Sequence, residues 1–443
     1  MLQHGGLSFK DRRKPKARLS NNLAFGFYLT YFRTNKRYFE ICTADLSKIY
    51  YMTFACQRNY NIRRSLVMSF HNPRIKPIYP LYQLNPEVFR IGAQLGITTE
   101  FEDPENQYWE LAKILDGRHI DEVVKEMQTL FPSLTEEDVI GGIELLESEG
   151  VLEEALPEQE IQDRYIANVN YFSRFTNTQG NRFDIQRKMN DTRILLLGLG
   201  GGGSNVLTLL AGLGPKKITI VDYDRVEASN LGRQFLYRES DIGRLKTEVA
   251  EEALSQMNSN IIIESHNKKI VTVEDVLLFT NDVDVVICAI DEPPFVIHRI
   301  VNQAIVRAGL PCVFGASQVS RGRVYTVIPR ETGCFDCLNL NFSKNDPKFI
   351  EQFVGFREIN FDPPSIAYGP AIFQLTSGIV DELVRLVTNY AIPRSLGTQY
   401  EINYEDGSSF RHPSWPRFPK ECPTCGEGKV DDWEVFQYYE GGK

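Results

Sequence analysis

The chain has 443 residues, 42% of them hydrophobic, and a formal net charge of −9. That is enough for one large domain and a smaller companion, and it excludes a helical membrane-spanning protein, because no apolar run reaches the ~20 residues that a bilayer helix needs. The charge is uneven: residues 1–76 carry 15 Lys/Arg against 3 Asp/Glu, and the rest carries 34 against 55.

Residues 1–76 read as a basic arm. Residues 1–20 are basic and polar and lack the apolar centre of a signal peptide, so a cytoplasmic protein is expected. A basic arm on an acidic body can meet nucleic acid or an acidic membrane. This one mixes Asn, Tyr, Phe and Arg without periodicity and carries no recognisable module, so neither partner is expected. Met68 offers an alternative start.

Residues 77–155 change character. The stretches 78–84 and 88–92 read as brief strands. Tyr108, Leu111, Ala112, Ile114 and Leu115 then make the apolar face of a helix that stops at Asp116-Gly117. A second helix follows over 119–130. Ser133 with Glu136 reads as a capping box opening a third, in which Val139, Ile140, Ile143, Leu145 and Leu146 point inward. Short strands, three helices and the apolar Val151-Leu152 make a small winged-helix (α+β) module. Leu111-x-x-Ile114-Leu115-Asp116-Gly117, Ile120-Asp121-Glu122-Val123-Val124 and Leu145-Leu146 ahead of Gly150-Val151-Leu152 resemble the peptide-recognition domains of enzymes that mature ribosomally made peptides, PqqD-like proteins among them. The resemblance implies a precursor peptide whose leader binds as an added strand beside a helix. DNA binding and dimer packing are the other uses of a winged helix. Glu122, Glu126, Glu136, Glu137 and Asp138 weigh against DNA, since phosphate contacts need Lys and Arg.

Residues 156–163, polar and acidic with one proline, read as a linker to a domain spanning 164–443. There, 194–197 read as a buried parallel strand, and Gly198-Leu199-Gly200-Gly201-Gly202-Gly203 is a G-x-G-x-x-G turn feeding a helix over 204–213. Gly198, Gly200, Gly201 and Gly203 let backbone N–H groups approach a phosphate at the helix N-terminus. A second strand, 217–221, delivers Asp222, 24 residues after Gly198, where a carboxylate can hydrogen-bond a ribose. Beyond it, Asp222, Asp224, Arg225, Asn230, Arg233 and Gln234 crowd together, and Lys246 follows. A nicotinamide site has no use for so many cations, whereas a triphosphate does. A Walker loop is excluded because the glycine run ends in Ser204-Asn205 without its lysine.

The pattern D-x-D-x5-N-L-x-R-Q followed by G-R-x-K resembles the ThiF/HesA/MoeB superfamily of ubiquitin-activating-enzyme-like adenylyltransferases, over about 164–430. Within it, the peptide-modifying members of the microcin C and pantocin type are the most similar. The resemblance implies that Asp222 binds the ATP ribose, that Asn230, Arg233 and Lys246 contact the phosphates, and that Asp291 holds Mg²⁺. Asp224 and Gln234 fall within the same motif. Superfamily members also begin with an R-Y-x-R-Q-like segment whose last arginine reaches the partner subunit's ATP site. Arg174 stands 24 residues before Gly198, with Phe175 where glutamine is usual. The resemblance therefore implies a homodimer, the plainer alternative being a surface arginine.

Alternation of helices and strands continues beyond Lys246: a helix to 257, a strand at 261–263, a helix at 273–279 and a buried strand at 283–290. That strand ends in Asp291, at the edge where ligands sit in open parallel sheets. A carboxylate there can bridge Mg²⁺ to phosphate oxygens, or it can cap the next helix, 296–308. A strand at 311–316 and another at 323–328 open an antiparallel return. The fold class expected is α/β, a Rossmann-like and mostly parallel sheet with the winged helix ahead of it.

Eight cysteines complete the picture. Cys334-x-x-Cys337 and Cys422-x-x-Cys425 offer four thiolates to a structural Zn²⁺, a redox pair being the alternative. Cys42 and Cys56 lie in the arm, and Cys288 and Cys312 lie in core strands. None falls between Leu338 and Glu421, so a thioester nucleophile is not evident. The expected activity is ATP-dependent adenylylation of a carboxylate on a ribosomally made precursor peptide, with Arg174, Arg233, Lys246 and Asp291 as catalytic residues. The alternatives are activation of a sulfur-carrier or ubiquitin-like protein at its C-terminal glycine, and a non-catalytic subunit that presents the leader.

Overall fold

The computed structural model describes residues 70–436, apart from 94–97, 156–160, 293–295, 347, 349–350, 353–354 and 356–365. The basic arm, with Cys42, Cys56 and Met68, lies outside the described residues.

Strands β1 (Pro73–Ile75), β2 (Leu81–Asn85), β3 (Val88–Ile91) and β4 (Thr99–Glu102) precede helices α1 (Gln107–Ile114), α2 (Ile120–Leu130) and α3 (Glu136–Ser148), and β5 (Leu152–Glu154) follows them. β2, β3 and β4 form an antiparallel sheet, while β1 pairs antiparallel with β5, Ile75 opposite Leu152. Phe89, Ile91, Leu111, Val123, Met127, Ile143, Leu146 and Leu152 fill one core with Phe70. The module thus takes in residues 70–76, ahead of the boundary expected at 77. The third helix also starts later than Ser133 suggested. Leu134 turns into the core, its N–H bonding Phe131 O, so the helix opens only at Thr135. Thr135 and Asp138 form the capping box, Asp138 N donating to Thr135 Oγ1 at 3.2 Å and Thr135 N to Asp138 Oδ2 at 2.8 Å.

The larger domain opens with α4 (Ile166–Ser173) and α5 (Arg182–Asp191). Then β6 (Arg193–Leu197), α6 (Gly201–Leu213), β7 (Lys217–Asp222), α7 (Lys246–Met257) and β8 (Ile262–Asn267) run one way across a sheet. The chain returns through α8 (Val273–Leu277) to β9 (Val285–Cys288) on the other side of β6. From there α9 (Ile297–Ala308), β10 (Cys312–Ser317), β11 (Arg321–Val327), α10 (Phe335–Asn345), α11 (Gly369–Thr388), β12 (Gln399–Asn403) and β13 (Ser409–Arg411) follow. The eight strands lie in the order β13-β12-β11-β10-β9-β6-β7-β8, parallel from β10 to β8 and antiparallel beyond β10. Strand order reverses between β6 and β9, which opens a crevice at their C-terminal ends.

Successive residues of each strand feed opposite cores. Ile194, Leu196, Ile218, Ile220 and Ile287 pack with α6, α7 and α11 through Leu207, Leu210, Leu254, Leu375 and Ile379. Leu195, Leu197, Val286, Cys288 and Phe314 pack on the other face with α9 and α10 through Ile300, Val301 and Leu338. Each fully buried Leu or Ile contributes roughly 1.5–3 kcal/mol, so this double-sided burial makes the strand ends at the crevice a stiff frame. Among the described residues, no helix is long and apolar enough to cross a membrane.

Candidate nucleotide site and cysteine clasp

The glycine turn joins β6 to α6 at the crevice. Gly198 has φ 92°, and a Cβ there would lie 2.7 Å from Ala289 O, just past the end of β9 across the switch point. A Cβ on Gly203 would lie 1.8 Å from Gly198 O, so the helix can approach the turn only without a side chain. Gly200 faces open space, and Gly201 sits against the stem of Arg233. The helix begins at Gly201, three residues before the expected Ser204, because this packing outweighs the poor helix propensity of glycine.

Asp222 ends β7 and holds the turn. Its Oδ2 accepts from Leu199 N at 2.6 Å and its Oδ1 from Asp224 N at 2.8 Å. Burial raises its carboxyl pKa above the usual range, against the lowering effect of those two bonds and of the Lys246 charge. Lys246, 4% exposed at the start of α7, points its Nζ at Asp224 Oδ2, 2.9 Å away. Asn230 is buried and accepts from Glu227 N. Arg233 Nη1 donates to Ser229 O at 2.8 Å, and its carbonyl accepts from Asn205 Nδ2 at 2.9 Å. Gln234 is buried behind it.

Asp291 follows β9 by three residues and opens to solvent, five residues ahead of the Val296 that caps α9, so it is not that helix's cap. Surrounding protein raises its carboxyl pKa, Glu292 adds to the rise, and the Lys246 and Arg233 charges oppose it. The structure thus brings Asp291 into the field of Lys246, the cation that also faces Asp222 and Asp224, and of Arg233. An accessible carboxylate such as Asp291 suits Mg²⁺, which is commonly held by one or two carboxylates together with waters and phosphates.

Arg174 does not join the site of its own chain. It is exposed at the end of α4, its guanidinium 5.9 Å from the Tyr171 ring centre and 5.6 Å from that of Phe175. Phe175 packs on Tyr390 at 4.8 Å. Ile372, in the first turn of α11, lies against Gly201, while Tyr390 follows the last turn. About 24 Å of helix axis, from Ile372 to the last helical residue Thr388, runs between the glycine turn and the end where Tyr390 meets Phe175.

Two neighbours were not anticipated from sequence. Tyr237 is buried and donates to Leu199 O at 2.9 Å, bracing the turn from behind. Tyr223 donates to Glu292 Oε2 at 2.8 Å, and Lys269 Nζ lies over its ring at 4.7 Å. Tyr237 falls three residues past the Gln234 that ends the motif, which was the one available signal.

Cys334, Cys337, Cys422 and Cys425 come together, all four Sγ atoms within 4.8 Å of one another. Three of the separations are 3.9, 3.6 and 3.4 Å, close to the ~3.8 Å that tetrahedral Zn–S bonds of about 2.3 Å impose. Phe418 N donates to Cys337 Sγ and Cys425 N to Cys422 Sγ, both at 3.4 Å, as thiolate ligands require of their surroundings. Behind them Asp336, fully buried, accepts from Thr424 Oγ1 at 2.6 Å and pairs with Arg299. The donor set fits a structural Zn²⁺. Cys288 and Cys312 are packed in the core instead, and burial pushes the Cys288 thiol up to about 12.

Comparison with known proteins agrees with this geometry. The ThiF family model matches residues 167–424. The sulfur carrier protein adenylyltransferase of Thermus thermophilus is 30% identical over 263 residues, 57% of this chain and 90% of that protein. The molybdopterin-synthase adenylyltransferase of Escherichia coli is 32% identical over 253 residues, 56% of this chain and 93% of that one. The match to the sulfur carrier protein ThiS adenylyltransferase of Bacillus subtilis, 34% identical over 155 residues, spans 34% of this chain and 45% of the relative. Among solved structures, E. coli MccB with ATP is similar in fold, with a TM-score of 0.65 and 21% identity over 80% of this chain and all of that one. The chain belongs to the ThiF family and is a ThiF/MoeB-type adenylyltransferase.

Proposed function

We propose that this enzyme adenylylates a carboxylate of a ribosomally made precursor peptide during maturation of a peptide natural product. The observation that carries this reading is the winged-helix module built onto the adenylation domain. The fold likeness to MccB covers 80% of this chain, more than the 56–58% that the adenylation domain shares with the Thermus thermophilus and E. coli relatives and the family model. MccB is described as a microcin C7 biosynthetic enzyme and has been solved with MccA.

In this reading ATP lies across the crevice. Asp222 receives the ribose, and the open backbone at Gly200 and the N-terminus of α6 receive phosphate. Lys246 and Arg233 neutralise the triphosphate, and Asn230 holds the loop that carries Arg233. Mg²⁺ bound at Asp291 would supply further charge neutralisation between phosphate oxygens. Arg174 of the partner subunit completes the site in a homodimer, consistent with its distance from the glycine turn of its own chain. A carboxylate oxygen attacks the α-phosphorus, the bond to the oxygen bridging the β-phosphate breaks, and its electron pair leaves with pyrophosphate. An ionised carboxylate needs no general base, so fixed charges and positioning carry the step. The cysteine clasp, all four positions occupied by thiolate, would hold a structural Zn²⁺.

A second reading is supported by the relatives named as sulfur-carrier activators: the same site acting on a C-terminal glycine of a carrier protein. The absence of cysteine between 338 and 421 and the N-terminal module weigh against it. ATP–pyrophosphate exchange separates the two. Exchange with a short peptide encoded beside the gene, and none with a carrier ending in Gly-Gly, is expected. The reverse pattern would replace the peptide reading with the carrier one, and exchange with neither would favour a non-catalytic presenting subunit.

A further inference from the structure

Glu153, in β5, is 2% exposed and serves two bodies at once. Within the module, its Oε1 accepts from Arg74 Nε at 2.9 Å, with Arg74 Nη2 at 2.7 Å. Towards the adenylation domain, its Oε2 accepts from Ser173 Oγ at 2.9 Å, and Arg182 Nη1 stands 3.9 Å from Oε1. Glu147, near the end of α3, makes a parallel connection: its Oε1 accepts from Thr178 N at 2.9 Å and from Thr178 Oγ1 at 2.7 Å. The strip 173–182 is therefore held to the module at both ends. Arg174 rides on that strip, adjacent to Ser173 and exposed.

We propose that Glu153 is a positioning residue for Arg174, so that the N-terminal module sets the geometry of the arginine delivered to ATP. This rests on the reading in which Arg174 serves the partner subunit's nucleotide. Ser173 is fully buried, so its hydroxyl has no water to turn to if the carboxylate is lost. A buried bond to a charged acceptor fixes the last turn of α4 more firmly than the exposed ring contacts of Arg174 can. The guanidinium lies against Tyr171 and Phe175 in the free chain and must leave its subunit along a defined direction to meet a phosphate. Glu153 and Glu147 supply the fixed base for that direction. A segment bound to the module and a nucleotide bound by the partner would thus share one buried carboxylate.

Isothermal titration of Mg–ATP into the full-length protein tests this without an identified peptide, using wild type, Arg174→Ala, Glu153→Gln and the double variant, with melting temperature recorded on each. Arg174→Ala and Glu153→Gln should each weaken Kd about tenfold, as a misplaced contact does. The double variant should bind no more weakly than Arg174→Ala alone, because nothing is left to position. Ser173→Ala keeps the Arg74 pairing of Glu153, so it guards against misfolding, and should weaken Kd severalfold with the same non-additivity. Wild-type affinity in Glu153→Gln beside a weakened Arg174→Ala overturns the proposal, as do additive losses in the double variant. Wild-type affinity in Arg174→Ala overturns instead the reading of Arg174 on which it rests.

Discussion

Lys246 and Asp224 are joined twice, side chain to side chain at 2.9 Å and Lys246 N to Asp224 O at 2.9 Å. The double connection ties the first residue of α7 to the turn after β7, so the ammonium is aimed before any ligand arrives. Replacing Lys246 with Ala should lower the exchange rate by about 10²–10³-fold, the cost of removing one preorganised donor. Lys246→Arg should not rescue it, because the buried site is shaped for a compact ammonium. Steady-state exchange kinetics with circular dichroism as a folding control measure this.

The glycines should separate into two classes. Gly203→Ala places a methyl 1.8 Å from a carbonyl and should destabilise the domain by about 3 kcal/mol or more. Gly200→Ala meets nothing in the protein and should leave urea unfolding within about 0.5 kcal/mol of wild type, while weakening ATP if, as proposed, the phosphate takes the space that the methyl would fill. Denaturation and nucleotide titration on the two variants distinguish shape from ligand contact.

The purified protein should carry about one zinc per chain by metal analysis, since four thiolates satisfy the ion. Cys422→Ser or a strong chelator should lower the melting temperature, and zinc should leave as pH falls because protonation competes for the thiolates. Four freely titrating thiols in native, metal-free protein would contradict the clasp.

Asp275 predicts a pH signature in stability. Its carboxylate pairs with Lys268 at 2.9 Å and accepts from Val271 N and Thr272 N, which hold its pKa well below the usual carboxylate range. A depressed folded pKa means that the unfolded chain takes up the proton first. The stabilisation is therefore fully present above roughly pH 4 and lost as pH falls through the depressed value. Asp275→Asn should lower the urea midpoint at pH 7, and the gap to wild type should narrow steadily on acidification. A constant gap would mean that the charge is not what holds this turn.

What could be read from sequence follows from range. The strands of the parallel core are buried on both faces and read as unbroken apolar runs, and Asp222 was visible because an acid ended one of them. β1 and β4 were not, being three and four residues long and stabilised by partners far along the chain. The capping box was displaced by two residues because tertiary burial of Leu134, which no local pattern records, delays the helix. The cysteine pairs were legible from spacing alone, and their meeting follows the expectation. Arg174 was singled out by the family resemblance and its distance from Gly198, and its role remains a proposal. The carboxylates that hold its strip, Glu153 and Glu147, were illegible because each pairs across a linker with residues of another domain.

We propose a division of labour in which the module supplies affinity for the peptide and the Asp222–Asp291 crevice supplies chemistry. Exchange kinetics comparing the full precursor peptide with its own C-terminal fragment, on the intact enzyme, test it most directly. Held by its leader, the carboxylate segment acts at a high effective concentration, so removing the leader should raise KM by about 10²-fold or more while kcat stays within a few-fold. Equal KM values for the two peptides would contradict the account and leave the module with a packing role alone.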